Sequence, residues 1–519
     1  MKKITLLFLV LFPNLFYAQP QVIEWQKCFG GTDTDNIFSI LQTTDGGYIA
    51  TGYTRSTDID AIGNHGNQDI LLVKMNAAGT IEWKKTYGGS SSETANAIKQ
   101  TSDGGYVIAG NTYSTNGDIT SNHGNSDAWV LKLSAIGDLE WQKTLGGTSQ
   151  DNANDVTQTS DGGFIIACDI FSSNGNVTSN HGATDAWIVK LNASGVIDWQ
   201  KSYGGTKLDI ATSIQKTTDG GYIFAAYTNS NDGDVTGNHG TNTTDYWVVK
   251  INATGTIEWK KTYGGSNAEE AKSIQQTVDG GYILCGKTTS NDGDVSEFKG
   301  SSDYWIVKLN ATGTMIWQKA YGGTDEEIPF SIKQTLNGGY VVSGFTHSSD
   351  GDVALNHAGS ILTNDIWILY LYANGDIQWQ TSLGNTGYQD SHDIQQTADG
   401  GYIVAGNTGG ALENGQVTGF LGGNLDFWVI KLGPAPLNVT TFNDSKIKIY
   451  PNPVSDYLVI GAGNMSFSKI TVYDLQGRVI KRFQDVSNQI NVTDLKRGVY
   501  IIEVISANQE VAVAKFSKL

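Results

Sequence analysis

The chain lacks much that would assign it a common job. It has three cysteines in 519 residues, Cys28, Cys168 and Cys285. They share no motif spacing and fall at different positions of the repeat described below. They read as core fillers, and no disulfide framework or cysteine metal site is expected. Lysine and arginine number 34 against 52 acids, a formal charge of −18. A nucleic-acid face needs clustered cations, so nucleic acid is not an expected partner. After the amino-terminal segment no apolar stretch approaches the roughly 20 residues of a membrane helix, so no transmembrane segment is expected. There is no Gly-x-Ser-x-Gly elbow, His-Glu-x-x-His pair or phosphate loop. No paired-carboxylate signature can be singled out from near-identical repeats, and no catalytic residue is assigned.

What the sequence does have is glycine, 63 residues, and an aromatic content of 10%. With few charges, that composition suits short strands and tight turns better than helices. The amino terminus reads as a signal peptide over residues 1–18. Lys2-Lys3 is its basic start, Ile4 to Phe16 its apolar run, and the cut falls between Ala18 and Gln19. No Cys follows that cut, so a lipoprotein anchor is not expected.

The chain is organised by a repeat. An Asp-Gly-Gly anchor recurs at Asp45, Asp103, Asp161, Asp219 and Asp279, as Asn-Gly-Gly at Asn337, and again at Asp399, in steps of 58, 58, 58, 60, 58 and 62 residues. A fixed period of this size marks a repeat architecture. In the fifth copy, strand a is expected over Ser273 to Thr277, b over Tyr282 to Gly286, c over Asp303 to Leu309 and d over Thr314 to Lys319. Four hairpin-linked strands are one blade of a β-propeller. Strand b carries small residues, such as Ala109-Gly110 and Ala225-Ala226. Strands c and d carry all thirteen Trp. That fits sheets that converge at an axis and splay outward. The first d strand, around Trp25, precedes the first a strand, and the last c strand, around Trp428, has no d after it. A ring explains this phase, because Val22 to Cys28 can pair beside Phe427 to Leu432 and remove two free edges. The expected fold is therefore all-β. Residues 19–433 form a seven-bladed propeller of four-stranded blades closed by the amino-terminal strand, and 434–445 form a linker.

Hairpin parity puts the long b–c loops and the d-to-a links at one end of the ring, the default binding face. Asp/Asn/Gly runs in these loops, with Asp232, Asp234, Asp292, Asp294, Asp350 and Asp352, suggest calcium as one reading. The spacing is not that of an EF-hand, and the other reading is an Asx-Gly turn whose side chain caps its own backbone. His65, His123, His181, His239 and His357 recur at one loop position, where the fifth repeat has Lys299. One copy per blade points to struts holding the Asp that opens strand c, not to a metal or catalytic centre. Asp35, Glu93, Asp151, Asp209, Glu269 and Glu327 follow the link glycines. If strand a lines the axis, they ring the channel mouth and could meet a cation; the other reading is local capping of strand a and its link. Sites tend to break symmetry, which selects Arg55, Phe298, Lys299 and Phe420 as candidate ligand-binding residues. They lie in or near the irregular stretches Arg55 to Ile62, Glu297 to Lys299, Ala354 to Asn364 and Gly409 to Gln416.

The composition changes at Lys446, and alternating strands over 446–519 predict a small β-sandwich. Here the residues carry a resemblance. Tyr450-Pro451-Asn452-Pro453, Asp474-Leu475-Gln476-Gly477-Arg478, Gly498-Val499-Tyr500 and the closing stretch from Lys515 are similar to the type A carboxy-terminal sorting domain of the type IX secretion system. The resemblance implies Sec export, then passage through the outer membrane by a Bacteroidota-type machinery, its expected partner. The propeller would then be a secreted or surface-displayed binding or adhesion scaffold for an extracellular glycan or protein. A polysaccharide-acting hydrolase or lyase and a structural surface-layer component are the alternatives.

Overall fold

The Asp-Gly-Gly turns fold as their residues dictate. In the first, Gly46 takes φ +86° and donates its N–H to Thr43 O at 2.9 Å, while the Asp45 carboxylate accepts the Gly47 N–H at 2.9 Å. Glycine permits that φ and the aspartate side chain locks the turn. A buried lysine of strand c, Lys74, reaches the same carboxylate at 2.9 Å. Five other repeats hold the same pair, for example Asp279 with Lys308 at 3.0 Å. In repeat 6, Asn337 replaces the acid and Tyr370 replaces the lysine, so a neutral hydrogen bond stands where the ion pair would be. The two exchanges compensate, because either alone would leave a charge without its partner.

The structure is a computed structural model, and it describes residues 22–357, 363–410, 416–434, 447–461, 467–474, 479–483, 487–506 and 511–519. The expected signal peptide with Ala18 and Gln19, linker residues 435–445, and Gly477 and Arg478 of the sorting motif lie outside the described residues. So do parts of the irregular stretches after Ala354 and Gly409.

Two compact units result, one ending at Pro434 and one beginning at Ala435. Among its described residues, the first has no helix and contains seven four-stranded antiparallel sheets. Six run a-b-c-d in chain order. In the seventh, strands Tyr388–Gln396, Tyr402–Gly409 and Asp426–Leu432 are completed by Ile23–Phe29 from the start of the chain, with Cys28 opposite Trp428 and Phe29 opposite Phe427. Strand a of each repeat packs on strands a and b of the repeat before it, and strand a of repeat 1 packs in the same way on repeat 7. The arrangement is propeller-like.

Tryptophan binds the sheets together. The strand c Trp residues are fully buried between sheets. Most strand d Trp residues lie over the c–d turn of the next repeat: Trp141 Nε1 donates to Ala193 O at 3.2 Å, and a Cβ on Gly195 would come within 2.9 Å of its ring. Trp25 meets Ala77 O and Gly79 of repeat 1 in the same way.

One boundary differs from the sequence reading. Strand a begins at the link acid, as in Glu269–Gln276, four residues before the expected Ser273. A β-bulge explains the difference. Pairing shifts register between Ala271 and Ser273, leaving Lys272 unpaired, and the same shift occurs in every repeat. The extra residue reverses the in-out alternation, so the first half of the strand reads as a loop.

The second unit holds two sheets over one apolar core that includes Val454, Ile470, Ile502 and Phe516. Two strands beyond the expected set appear, Val479–Phe483 and Gln489–Asn491. The first has no buried residue and the second is only three residues long, so neither left a readable alternation. The motif residue Asn452 ties to the last strand, donating to Lys515 O at 3.1 Å and accepting from Ser517 N at 2.9 Å. Tyr500 stacks on Phe516 and donates to Lys496 O at 2.8 Å.

Candidate functional site

The strand a bulge re-aims one side chain per repeat. Those side chains are Phe38, Asn96, Asn154, Thr212, Lys272, Phe330 and His392, and all seven line one cavity of about 430 Å³, joined by Asp169, Ile210 and Tyr227. A chamber to which every repeat contributes its equivalent residue lies on the axis of the array. It sits toward the end where strand a begins and strand b finishes, the face of the links and b–c loops. Its volume lies in the range of small-ligand sites, roughly 300–1,000 Å³.

The seven residues are of five kinds, and they divide the wall. In repeats 6, 7 and 1 it is aromatic. The His392 ring lies 4.5 Å from Phe330 and 4.9 Å, edge-on, from Phe38. His392 Nε2 is 3.2 Å from Asp390 Oδ2. Asp390 also accepts from Tyr388 Oη at 2.9 Å and Asn407 Nδ2 at 2.8 Å. Burial works to raise this carboxyl, but His392 and these donors outweigh it and hold it below the usual range.

In repeats 2 and 3 the wall is amide and acid. Asn96 Nδ2 donates to Ala153 O at 2.9 Å. Asn154 Nδ2 donates to Ala211 O at 2.8 Å and to Asp169 Oδ1 at 2.7 Å. Burial pushes the Asp169 carboxyl up. In repeat 5 the wall is cationic: Lys272 and Lys287 each place Nζ 3.0 Å from Glu270, and Lys272 lies 5.7 Å over the Tyr227 ring. Burial works to raise Glu270, and the two lysines hold it low.

The acids expected at the channel mouth are elsewhere. Asp35, Glu93, Asp151, Asp209, Glu269 and Glu327 are 0% exposed. Each accepts the N–H of the second link glycine, as Glu269 does from Gly265 at 2.8 Å, and a hydroxyl from the end of strand b or just beyond it, as from Thr288 at 2.7 Å. This corrects the channel-mouth placement in favour of local capping, because the bulge turns these side chains between sheets while its own residue faces the axis. Gln389 holds the seventh position.

A second buried acid faces each of them. The Asp opening strand c has a buried Oδ1 without a hydrogen-bond partner in all seven repeats: Asp69, Asp127, Asp185, Asp245, Asp303, Asp365 and Asp426. In the Tyr-Gly-Gly segment only glycine fits between them: a Cβ on Gly264 would lie 2.8 Å from Asp245 Oδ1 and 2.6 Å from Glu269 Oε2. The loop histidines take the strut geometry on the other oxygen, with His239 Nδ1 2.6 Å from Asp245 Oδ2 and His65 Nδ1 2.7 Å from Asp69 Oδ2.

The calcium candidates cap backbone, though not their own. Asp232 Oδ1 accepts Thr206 N at 2.8 Å, Asp292 Oδ1 accepts Ser266 N at 2.7 Å and Asp350 Oδ1 accepts Thr324 N at 2.8 Å, all in the preceding link. Asp294 and Asp352 accept from Gly264 and Gly322 at 3.3 and 3.2 Å, while Asp234 lies 3.6 Å from Lys260 Nζ. Among the described residues no group of three or more His, Cys, Asp and Glu side chains is placed to hold a metal. Arg55 is exposed, Phe298 packs on the core of repeats 4 and 5, Lys299 bridges to Asp352 at 2.5 Å and Phe420 is half-buried. None of the four lines the chamber.

Residues 448–518 match the family model described as Secretion system C-terminal sorting domain. The carboxy-terminal unit is therefore a sorting domain of the type IX secretion system. It directs the chain to that machinery and on to the cell surface or the extracellular space. Among curated proteins the chain is similar to "Regulatory protein FlaEY" of Caulobacter vibrioides, 22% identical over 76% of this chain and 43% of that protein. It is also similar to "Beta-agarase D" of Zobellia galactanivorans, 34% identical over 14% of each. The chain thus spans less than half the length of either relative. Among solved structures, PorZ, a bacterial surface component of the type IX secretion system of Porphyromonas gingivalis, aligns at 10% identity, covering 90% of this chain and 65% of that one, with a TM-score of 0.30. No helix among the described residues is long and apolar enough to cross a membrane.

Proposed function

We propose that the first unit is a closed seven-bladed propeller, carried outside the cell by its tail, that binds an extracellular glycan without chemistry. The ligand enters the axial chamber from the loop face. One observation carries this reading. The framework repeats nearly residue for residue, yet the bulge positions hold Phe, Asn, Asn, Thr, Lys, Phe and His around the cavity. A scaffold with no ligand has no need for five kinds of side chain at the seven equivalent positions of its axis. Aromatic rings beside amides and charges are the mixture that an amphipathic sugar ring meets well.

A glycan array with the full chain tests it. We expect retention of a defined glycan subset, lost in Phe330→Ala with the melting temperature little changed. Binding that survives in Phe330→Ala, or no binding at all, would contradict it. A second reading, a polysaccharide-acting enzyme, draws on His392, which lines the cavity, and the buried Asp390 behind it. Against it, Phe330 and Phe38 cover the imidazole. Product release from a polysaccharide panel, abolished by His392→Ala, would establish the enzyme.

A further inference from the structure

The ligand class can be narrowed on the proposal that the chamber binds glycan, and the inference rests on that reading. Repeat 5 places two ammonium groups on one carboxylate, Lys272 and Lys287 each 3.0 Å from Glu270. Within that trio one positive charge is left over, and the carboxyl that shares the chamber wall, Asp169, is pushed up by burial toward its neutral form, in a chain whose formal charge is −18. In a partly dry cavity such a charge attracts an anion far more than it would in bulk water. The neighbouring wall is the Phe330 ring, tilted against His392 at 4.5 Å and able to cover an apolar ring face. Across the chamber, Asn96 Nδ2 is turned to Ala153 O, and Asn154 Nδ2 donates to Ala211 O and Asp169 Oδ1. That leaves their Oδ1 atoms as acceptors for hydroxyl groups. A cation, a flat apolar face and acceptors for hydroxyls together describe a ring that bears both a carboxylate and several hydroxyls.

We infer that the chamber takes a uronic acid residue at the end of a glycan, its carboxylate at Lys272, its ring on Phe330 and its hydroxyls on Asn96 and Asn154. Calorimetric titration of the full chain with glucuronic acid, glucose and benzoic acid at low salt tests this. Glucuronic acid should bind at least tenfold more tightly than either of the others. Lys272→Met should bring it down to the glucose level without weakening glucose. Asn154→Leu should weaken glucuronic acid and leave benzoic acid unchanged. Equal affinity for glucose and glucuronic acid, or a preference untouched by Lys272→Met, would overturn the acidic class while leaving a glycan chamber. Benzoic acid binding as tightly as glucuronic acid would overturn the sugar. If no sugar binds and the glycan array is also blank, the glycan reading itself fails.

Discussion

Five loop histidines and Lys299 occupy one position, and the difference registers on the aspartate each one serves. Asp245 keeps an imidazole at 2.6 Å, whereas Asp303 keeps only the Lys299 backbone N–H at 2.9 Å. Burial, aided by the charge of Glu327, pushes the Asp303 carboxyl up to about 7. The sign of the consequence follows from linkage. A carboxyl whose pKa is raised on folding favours the native state in its protonated form. Its contribution is present below the ordinary carboxylate range and is lost as pH rises through about 7. Repeat 7 supplies a natural control, since the uncharged Gln389 faces Asp365, whose carboxyl is raised by burial without a charged acid opposite it. The melting temperature should therefore fall between pH 5 and pH 8. Asp303→Asn should raise it at pH 8 and flatten that slope, by calorimetry. An Asn variant that melts lower at pH 8 would show that the carboxyl is charged and useful there.

The bulged strand a is the element that decides what each side chain faces, and it is where the sequence misled. Hairpins, turn glycines and the strand c aspartates were legible, because period-2 alternation and Asp-Gly-Gly report local geometry. The bulge reverses alternation at Lys272 and its equivalents, so the first half of strand a read as a link and its acids were placed at a channel mouth. The chamber was missed for the same reason. A signal was present all along: the residue three past each acid differs in kind in nearly every repeat. Blade-to-blade contact is also an element property, and glycines test it. Gly137 and Gly104 both have positive φ, +79° and +85°. A Cβ on Gly137 would meet the Trp83 ring at 2.8 Å, while one on Gly104 would meet nothing within 4 Å. Gly104→Ala should cost only the left-handed backbone, about 1–2 kcal/mol. Gly137→Ala should cost clearly more in urea unfolding. Equal losses would mean that Trp83 does not hold the next blade.

At the scale of the molecule, repetition was legible from the period and the phase of its ends, while ligand chemistry was not, because it resides in the few positions that do not repeat. The sorting tail was readable from its motif residues because they are local in sequence, although Asn452 and Lys515 meet only in the fold. Everything proposed for the chamber requires seven walls, and the seventh sheet is whole only if the first strand completes it. Hydrogen–deuterium exchange on the full chain measures this directly. If the ring is closed, amides in 23–29 should be protected as well as those in 81–87, the corresponding strand of repeat 1. Exchange of 23–29 within seconds, with 81–87 still protected, would contradict closure and the chamber with it.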